Sequence, residues 1–372
     1  MPTASSTLAD IRAKVAARER ITPEDALTLW REASDADLRS LASQVRARYH
    51  APDSCTYMLM RIINYTNVCV AQCDYCAFYK LPGQEGGYVL THDQVFAKID
   101  ELLALGGDLV GFNGGFNPHL PLNYYCDLFA AIRARYGDRM EFYALTIAEF
   151  LYLADHAGLP YHAAADRLQQ SGVRWITGGG SEILTEDFRA RHSKFKYTVA
   201  EYFAAQRALV ESGLRTSATM VIGFDETIEE RIEHLERTRA FQDQVLASAH
   251  PEALASFLCW TFKPYFTQLG GIEISTAEYL RHLALSRIYL DNIPRIRTSV
   301  LTQNERALQG LLYGADDFDL PIEDEVTQLA GATISLNFDK LLATARTLGF
   351  TPTYRHVAPG WNTPRPEQKI PS

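Results

Sequence analysis

The chain has 372 residues, of which 47% are hydrophobic and 22% charged, so a largely disordered chain is excluded and a large buried core is within reach. Its 36 Lys+Arg against 45 Asp+Glu leave a formal charge of −9, which argues against nucleic acid or an anionic membrane as a general partner. There is no apolar run of membrane-spanning length, and the first residues lack the apolar core of a secretory signal, so a cytoplasmic location with reduced cysteines is expected.

In chain order, residues 1–53 read as an N-terminal helical extension. Strand-like runs rich in β-branched and aromatic residues then recur at 57–63, 109–113, 140–145, 173–177, 216–222, 255–260, 297–301 and, faintly, 311–315. Helical patterns lie between them. Thr91-His-Asp-Gln94 is a capping box ahead of Val95, Ile99 and Leu102, which share one helix face. Residues 226–243 repeat that spacing at Ile228, Ile232 and Leu235. Ser275-Thr-Ala-Glu278 predicts a second capping box, opening a helix to about residue 291. Eight strand–helix alternations predict an α/β fold, a TIM-type (β/α)8 barrel over residues 54–318. A C-terminal helical segment and tail would occupy 319–372. Its prolines, Pro359, Pro364, Pro366 and Pro371, place the tail on the surface.

Catalytic groups of such barrels gather at the C-terminal ends of the strands. Chemically able residues fall there repeatedly. A cysteine-rich loop follows the first strand, and Asn113-Gly114-Gly115 the second. Thr177-Gly-Gly-Gly-Ser-Glu182 follows the fourth, Gly223-Phe-Asp-Glu226 the fifth, Trp260-Thr-Phe-Lys-Pro264 the sixth and Thr302-Gln303-Asn304 the seventh.

The cysteines narrow the chemistry. Six are too sparse for a disulfide framework, yet Cys69, Cys73 and Cys76 lie within eight residues. Thiolates so close grip one soft metal centre. A closed zinc site takes four ligands, usually as two separated pairs, and no second Cys-x-x-Cys exists. An iron–sulfur cluster usually takes four cysteines, so three leave one iron open, and an open metal position implies chemistry there. The competing reading is a non-catalytic metal or iron–sulfur protein whose fourth ligand is remote, such as Cys55 or Cys126. Otherwise Cys55, Cys126 and Cys259 are small buried hydrophobes. The ten histidines form no metal-binding pair, and each, including His119 and His192, reads as structural.

Cys69-x3-Cys73-x2-Cys76, with Tyr75 before the last cysteine, resembles the signature of the radical S-adenosylmethionine (SAM) enzymes. The resemblance implies a [4Fe–4S] cluster on the three cysteines, SAM on the fourth iron, and cleavage of SAM to a 5′-deoxyadenosyl radical. It also implies a reductant such as flavodoxin or ferredoxin. By the same resemblance, Tyr75, Asn113, Gly114, Gly115, Glu182 and the strand carrying Thr219, Val221 and Glu226 would contact SAM.

Asn64-Tyr-Thr-Asn67-Val-Cys-Val and Cys76-Ala-Phe-Tyr are similar to the menaquinone futalosine-pathway and deazaflavin-cofactor group. Gly178-Gly-Gly-Ser-Glu182, Trp260-Thr-Phe-Lys-Pro264 and Gly314-Ala-Asp-Asp-Phe318 look most like the dehypoxanthine futalosine cyclases within it. That resemblance implies hydrogen abstraction from a substrate ribose and carbon–carbon bond formation to its attached benzoate ring, in menaquinone biosynthesis. The substrate would be a small aromatic nucleoside. Glu149, Tyr143 and Glu182 are the acid–base candidates. Asn64, Thr66, Trp260 and Gln303 are the candidate substrate contacts, with Arg61 or Lys263 for the benzoate. Several positions depart from the expected pattern: Phe116 stands where many radical SAM enzymes place Glu, and against the narrower group Phe112-Asn113 replaces Met-Gln, Ile176-Thr177 replaces Leu-Pro, Tyr143 replaces His and Asp319 replaces Gly. They keep open a paralogous carbon–carbon bond-forming enzyme, of the aminofutalosine synthase or a natural-product type.

Overall fold

The computed structural model describes residues 6–356, so the proline-bearing tail from residue 357 lies outside the described residues. Eight parallel strands close into a barrel: β1 (Ser54–Ile63), β2 (Leu109–Phe112), β3 (Glu141–Thr146), β4 (Trp175–Thr177), β5 (Arg215–Ile222), β6 (Leu254–Thr261), β7 (Ile296–Thr298) and β8 (Asp317–Pro321). Each pairs with the next, and β1 closes the ring by pairing with both β8 and β2. A ninth strand, β9 (Thr351–Tyr354), pairs along the first half of β1, below the stretch that β2 occupies. Helices wrap the outside, giving the expected (β/α)8 architecture.

The local chemistry explains most boundaries. Thr91 and Gln94 cap each other reciprocally and start the helix His92–Ala104, whose Val95, Ile99 and Leu102 are buried. Ser275 caps Thr276–Tyr289 through the Glu278 amide, but the expected return bond is absent. The Glu278 carboxylate instead lies 2.8 Å from the Arg231 guanidinium. The expected strand 297–301 stops at Thr298, because Ser299 caps a short helix, Val300–Gln303.

The expected eighth strand at 311–315 is not a strand. Asn304–Tyr313 is a 3₁₀ helix that ends at Gly314, where φ is +94°. The true β8 reads Asp317-Phe-Asp-Leu-Pro321. Its alternate positions put carboxylates inside the barrel, so hydrophobicity does not reveal it. The C-terminal segment, expected as helical, holds the helix Phe338–Thr347 and also β9.

The N-terminal helices Leu8–Ala16, Pro23–Glu32 and Asp35–Arg46 each open with a capping box. They clamp the barrel exterior by polar ties as well as by packing. Arg281 donates to the Trp30 and Ala33 carbonyls, and Arg239 to the Ile21 carbonyl. The barrel floor is charged. Asp317 accepts from Thr56, Arg297 and Arg355, and the arginines hold its carboxyl well below the usual range despite full burial. Above it sits an apolar layer of Met58, Met60, Leu109, Tyr143 and Trp175.

Candidate functional site

The loop after β1 is built to approach the β2 turn. The Cys69 amide donates to the Lys80 carbonyl (2.9 Å), the Val70 amide to Phe116 (3.1 Å), and the Gly115 amide to Thr66 (3.0 Å). A side chain at Gly114 would stand 2.6 Å from the Tyr65 ring. One at Gly115 would collide with the Val68 carbonyl and stand 2.7 Å from the Cys69 Cβ. Only glycine lets these two segments meet. The result is three thiols, Cys69, Cys73 and Cys76, at one cavity of about 320 Å³ at the barrel mouth.

This donor set suits a cluster rather than a single ion. Among the described residues, no three His, Cys, Asp or Glu side chains converge on one ion position. A cuboidal cluster does not need such convergence, because each cysteine binds a different iron. Burial pushes the Cys69 thiol up and the Cys76 thiol to about 11, so iron must displace a proton from each.

β5 forms one wall, with Thr219 and Val221 on the cavity. The Thr219 hydroxyl donates to the Gly178 carbonyl (2.6 Å) and meets the Ser181 hydroxyl (2.9 Å), tying β5 to the loop after β4. That loop presents Glu182 at φ +42°, in the left-handed region rarely used by non-glycine residues. The Val221 amide, 3.1 Å from the Glu182 carbonyl, holds it there. Lys196 reaches the same spot. Its ammonium lies 3.3 Å from both Glu182 carboxylate oxygens and 2.9 Å from the Tyr75 hydroxyl. Burial opposes the charge, but Cys73, Glu182 and Tyr75 together hold the lysine protonated.

Glu149 lines the cavity with both oxygens occupied. Oε1 accepts from the Tyr65 hydroxyl (2.5 Å) and the Gly114 amide (2.8 Å), and Oε2 from the Thr146 amide (2.9 Å) and hydroxyl (2.6 Å). Burial pushes its carboxyl up, against those four bonds. Its evident work is to fix the Gly114 turn. The wall from β6 to β8 brings Trp260, Lys263, Arg297, Asp319 and Asp324 to the cavity, while Tyr143 faces in from β3. Asn113 also lines it. Phe116, which departs from the Glu expected after the Gly-Gly pair, stacks on Tyr152 at 4.8 Å.

Several expected contacts lie elsewhere. Asn64 bridges the Asn113 carbonyl and the Glu325 amide, both at 2.9 Å. Thr66 is fully buried, donating to the Tyr88 carbonyl and accepting from Asn117. Gln303 joins the Thr261 and Thr276 hydroxyls. None of the three lines the cavity; each spends its polar atoms on tying together segments distant in the chain. Glu226, expected at SAM, also lies off the cavity. It accepts from the Gly223 and Phe224 amides and from Arg231, all at 2.8 Å. Arg61 points out of the barrel to Glu323 and Glu101, whereas Lys263 reaches the mouth paired with Glu273 at 2.6 Å. Sequence reasoning missed Lys196, Tyr65, Arg297 and Asp324. Tyr65 stands inside the Asn64–Val70 motif, where only its neighbours drew attention, and Lys196, Arg297 and Asp324 sit in no motif.

Two family models match the chain: the radical SAM superfamily over residues 63–238, and the CofH/MqnC C-terminal region over residues 252–367. The cyclic dehypoxanthine futalosine synthase of Halalkalibacterium halodurans is 35% identical over 340 residues, 91% of this chain and 90% of its own. The aminodeoxyfutalosine synthase of Thermus thermophilus is 33% identical over 333 residues, 87% of each. Among solved structures, methylornithine synthase aligns with a TM-score of 0.70 over 92% of this chain and 97% of its own, at 16% identity, which speaks to the fold alone. Among the described residues, no helix is long and apolar enough to cross a membrane.

Proposed function

The chain belongs to the radical SAM superfamily and carries the CofH/MqnC C-terminal region, and on that footing we propose that it cyclises dehypoxanthine futalosine in menaquinone biosynthesis. The observation that carries this reading is a cavity with three thiols at its rim, in a chain similar along nine-tenths of its length to a cyclic dehypoxanthine futalosine synthase.

Cys69, Cys73 and Cys76 would hold a [4Fe–4S] cluster, with SAM between the Gly114–Gly115 turn, Glu182 and β5. When bound, that pair supplies a 5′-deoxyadenosyl radical after one electron arrives from a low-potential donor of the flavodoxin or ferredoxin kind. The chain's own task is placement and exclusion of water. Glu149 fixes the Gly114 amide, and with it the turn beside the thiols. Lys196 neutralises Glu182 and locks Tyr75 next to Cys76. Tyr143 and Trp260 offer flat apolar surface to an aromatic ring. One hydrogen would pass from the substrate ribose to the 5′-deoxyadenosyl radical, giving 5′-deoxyadenosine; the ribose carbon would bond to the benzoate ring; and a closed-shell product would follow once one electron goes to the oxidised cluster and one proton to solvent. Glu149 has no free lone pair for that proton, so it acts as a positioning residue.

The test is anaerobic turnover of the reconstituted protein with SAM, dithionite and dehypoxanthine futalosine. The expected result is 5′-deoxyadenosine together with a product two mass units lighter than the substrate. Formation of 5′-deoxyadenosine with no such product would overturn the substrate and leave the radical chemistry standing.

A further inference from the structure

β8 turns Asp317 and Asp319 towards the barrel interior, with Phe318 and Leu320 in the outer core. The two carboxylates fare differently. Asp317 is saturated by the arginines of the floor. Asp319, one alternation higher, is only 4% exposed, lines the cavity, and has an Oδ1 with no hydrogen-bond partner. Asp324, on the loop after β8, repeats the pattern. It is 5% exposed, faces the same cavity, and keeps one oxygen on Thr327 while its Oδ1 has no partner.

Buried acceptors without donors are costly, and here two share one wall. Burial pushes both carboxyls to about 6; at Asp319 Arg297 opposes the rise, and the charges of Asp317 and then Asp324 add to it. The cations of the cavity are already engaged: Arg297 with Asp317, Lys263 with Glu273, and Lys196 with Glu182. A ligand carboxylate would meet two acids there. A ligand ammonium would meet the field of Arg297, which acts on Asp319 directly. An uncharged hydroxyl suits the site in either protonation state, since it donates to a carboxylate and accepts from a carboxylic acid.

We infer that Asp319 and Asp324 form a hydroxyl-binding subsite that takes the sugar hydroxyls of the substrate. The inference rests on the proposed reading that the substrate carries a ribose. It separates the two ends of that molecule: the sugar lies against β8, and the benzoate lies away from it. Carboxylates bind ribose hydroxyls in this way at other nucleotide sites.

The test titrates anaerobically reconstituted holoenzyme with three probes: dehypoxanthine futalosine, methyl β-D-ribofuranoside and 3-acetylbenzoate. Binding is read by calorimetry for the first and by ligand-observed NMR for the two fragments. Asp319→Leu is expected to weaken dehypoxanthine futalosine by about tenfold or more and to abolish the riboside signal. It should leave 3-acetylbenzoate unchanged. Asp319→Asn keeps an acceptor and is expected to retain riboside binding. It also serves as the informative variant should the leucine protein melt before the titration temperature, with Asp319→Gly in place of the leucine. Riboside binding that survives Asp319→Leu or Asp319→Gly, equal weakening of all three probes, or a wild type that ignores the riboside would overturn the subsite. A wild type that binds the riboside through Asp319 but not dehypoxanthine futalosine would uphold the subsite and overturn the substrate reading.

Discussion

Gly115→Ala should empty the metal site without unfolding the barrel. The added methyl would collide with the Val68 carbonyl and stand 2.7 Å from the Cys69 Cβ, closer than real Cβ contacts come. The β1 and β2 loops must part to admit it. Two backbone bonds flank the position, Gly115 to Thr66 at 3.0 Å and Val70 to Phe116 at 3.1 Å. Losing both costs about 2 kcal/mol and overpacking adds about 1–3, for a total of about 3–5 kcal/mol. That is on the order of a 100-fold or greater loss of the closed loop, while the barrel's cooperative stability lies elsewhere. The assay is iron per chain after anaerobic reconstitution, alongside a thermal melt. Gly83→Ala is the control, because its Cβ would meet nothing within 4 Å. Gly83 sits at φ +80°, so that change carries a backbone strain of about 1 kcal/mol and should leave iron intact. A folded Gly115→Ala protein that still takes up full iron would refute the reasoning.

Three further outcomes follow from buried charge. Lys196→Met strands Glu182, whose side chain is 11% exposed, and should cost about 3–5 kcal/mol in urea unfolding, partly regained by adding Glu182→Gln; an unshifted midpoint would contradict the pairing. Arg287 and Asp316 are a fully buried pair in which burial pushes the aspartate up and the arginine down to about 10. Arg287→Met should cost a similar amount, about 3–5 kcal/mol, leaving Asp316 with the Ile296 amide, His50 and Arg295, and an unchanged melting temperature would refute it. Burial raises the folded Asp319 carboxyl to about 6, so the folded state holds more protons than the unfolded one between about pH 4 and 6. Stability is therefore lost as pH rises through that window, by about 2–3 kcal/mol at pH 7.5 from this group. Asp319→Asn should stabilise the protein at pH 7.5 and not at pH 4, and equal effects at both would contradict the origin of the shift.

Legibility in the sequence followed chemistry that is local. The cysteine spacing, the Gly114–Gly115 pair and seven of the barrel strands were readable because each is encoded by neighbours in the chain. The eighth strand was not, because Asp317 and Asp319 interrupt its apolar run, and what stabilises Asp317 is arginines from β7 and from beyond β9. That Asn64, Thr66 and Gln303 lie off the cavity was hidden for a related reason. A polar residue after a strand serves a ligand or a turn equally well, and only the fold shows that their partners are backbone and neighbouring side chains. Lys196 lies far along the chain from Cys76, in a loop without pattern. Its importance comes entirely from where the chain brings it.

The most direct measurement of the central claim is electron paramagnetic resonance of the dithionite-reduced, reconstituted protein with and without SAM. A site-differentiated cluster on Cys69, Cys73 and Cys76 should give a reduced [4Fe–4S] signal that changes on adding SAM, and Cys73→Ala should lose it. Zinc in place of iron, or a cluster signal indifferent to SAM, would contradict the account.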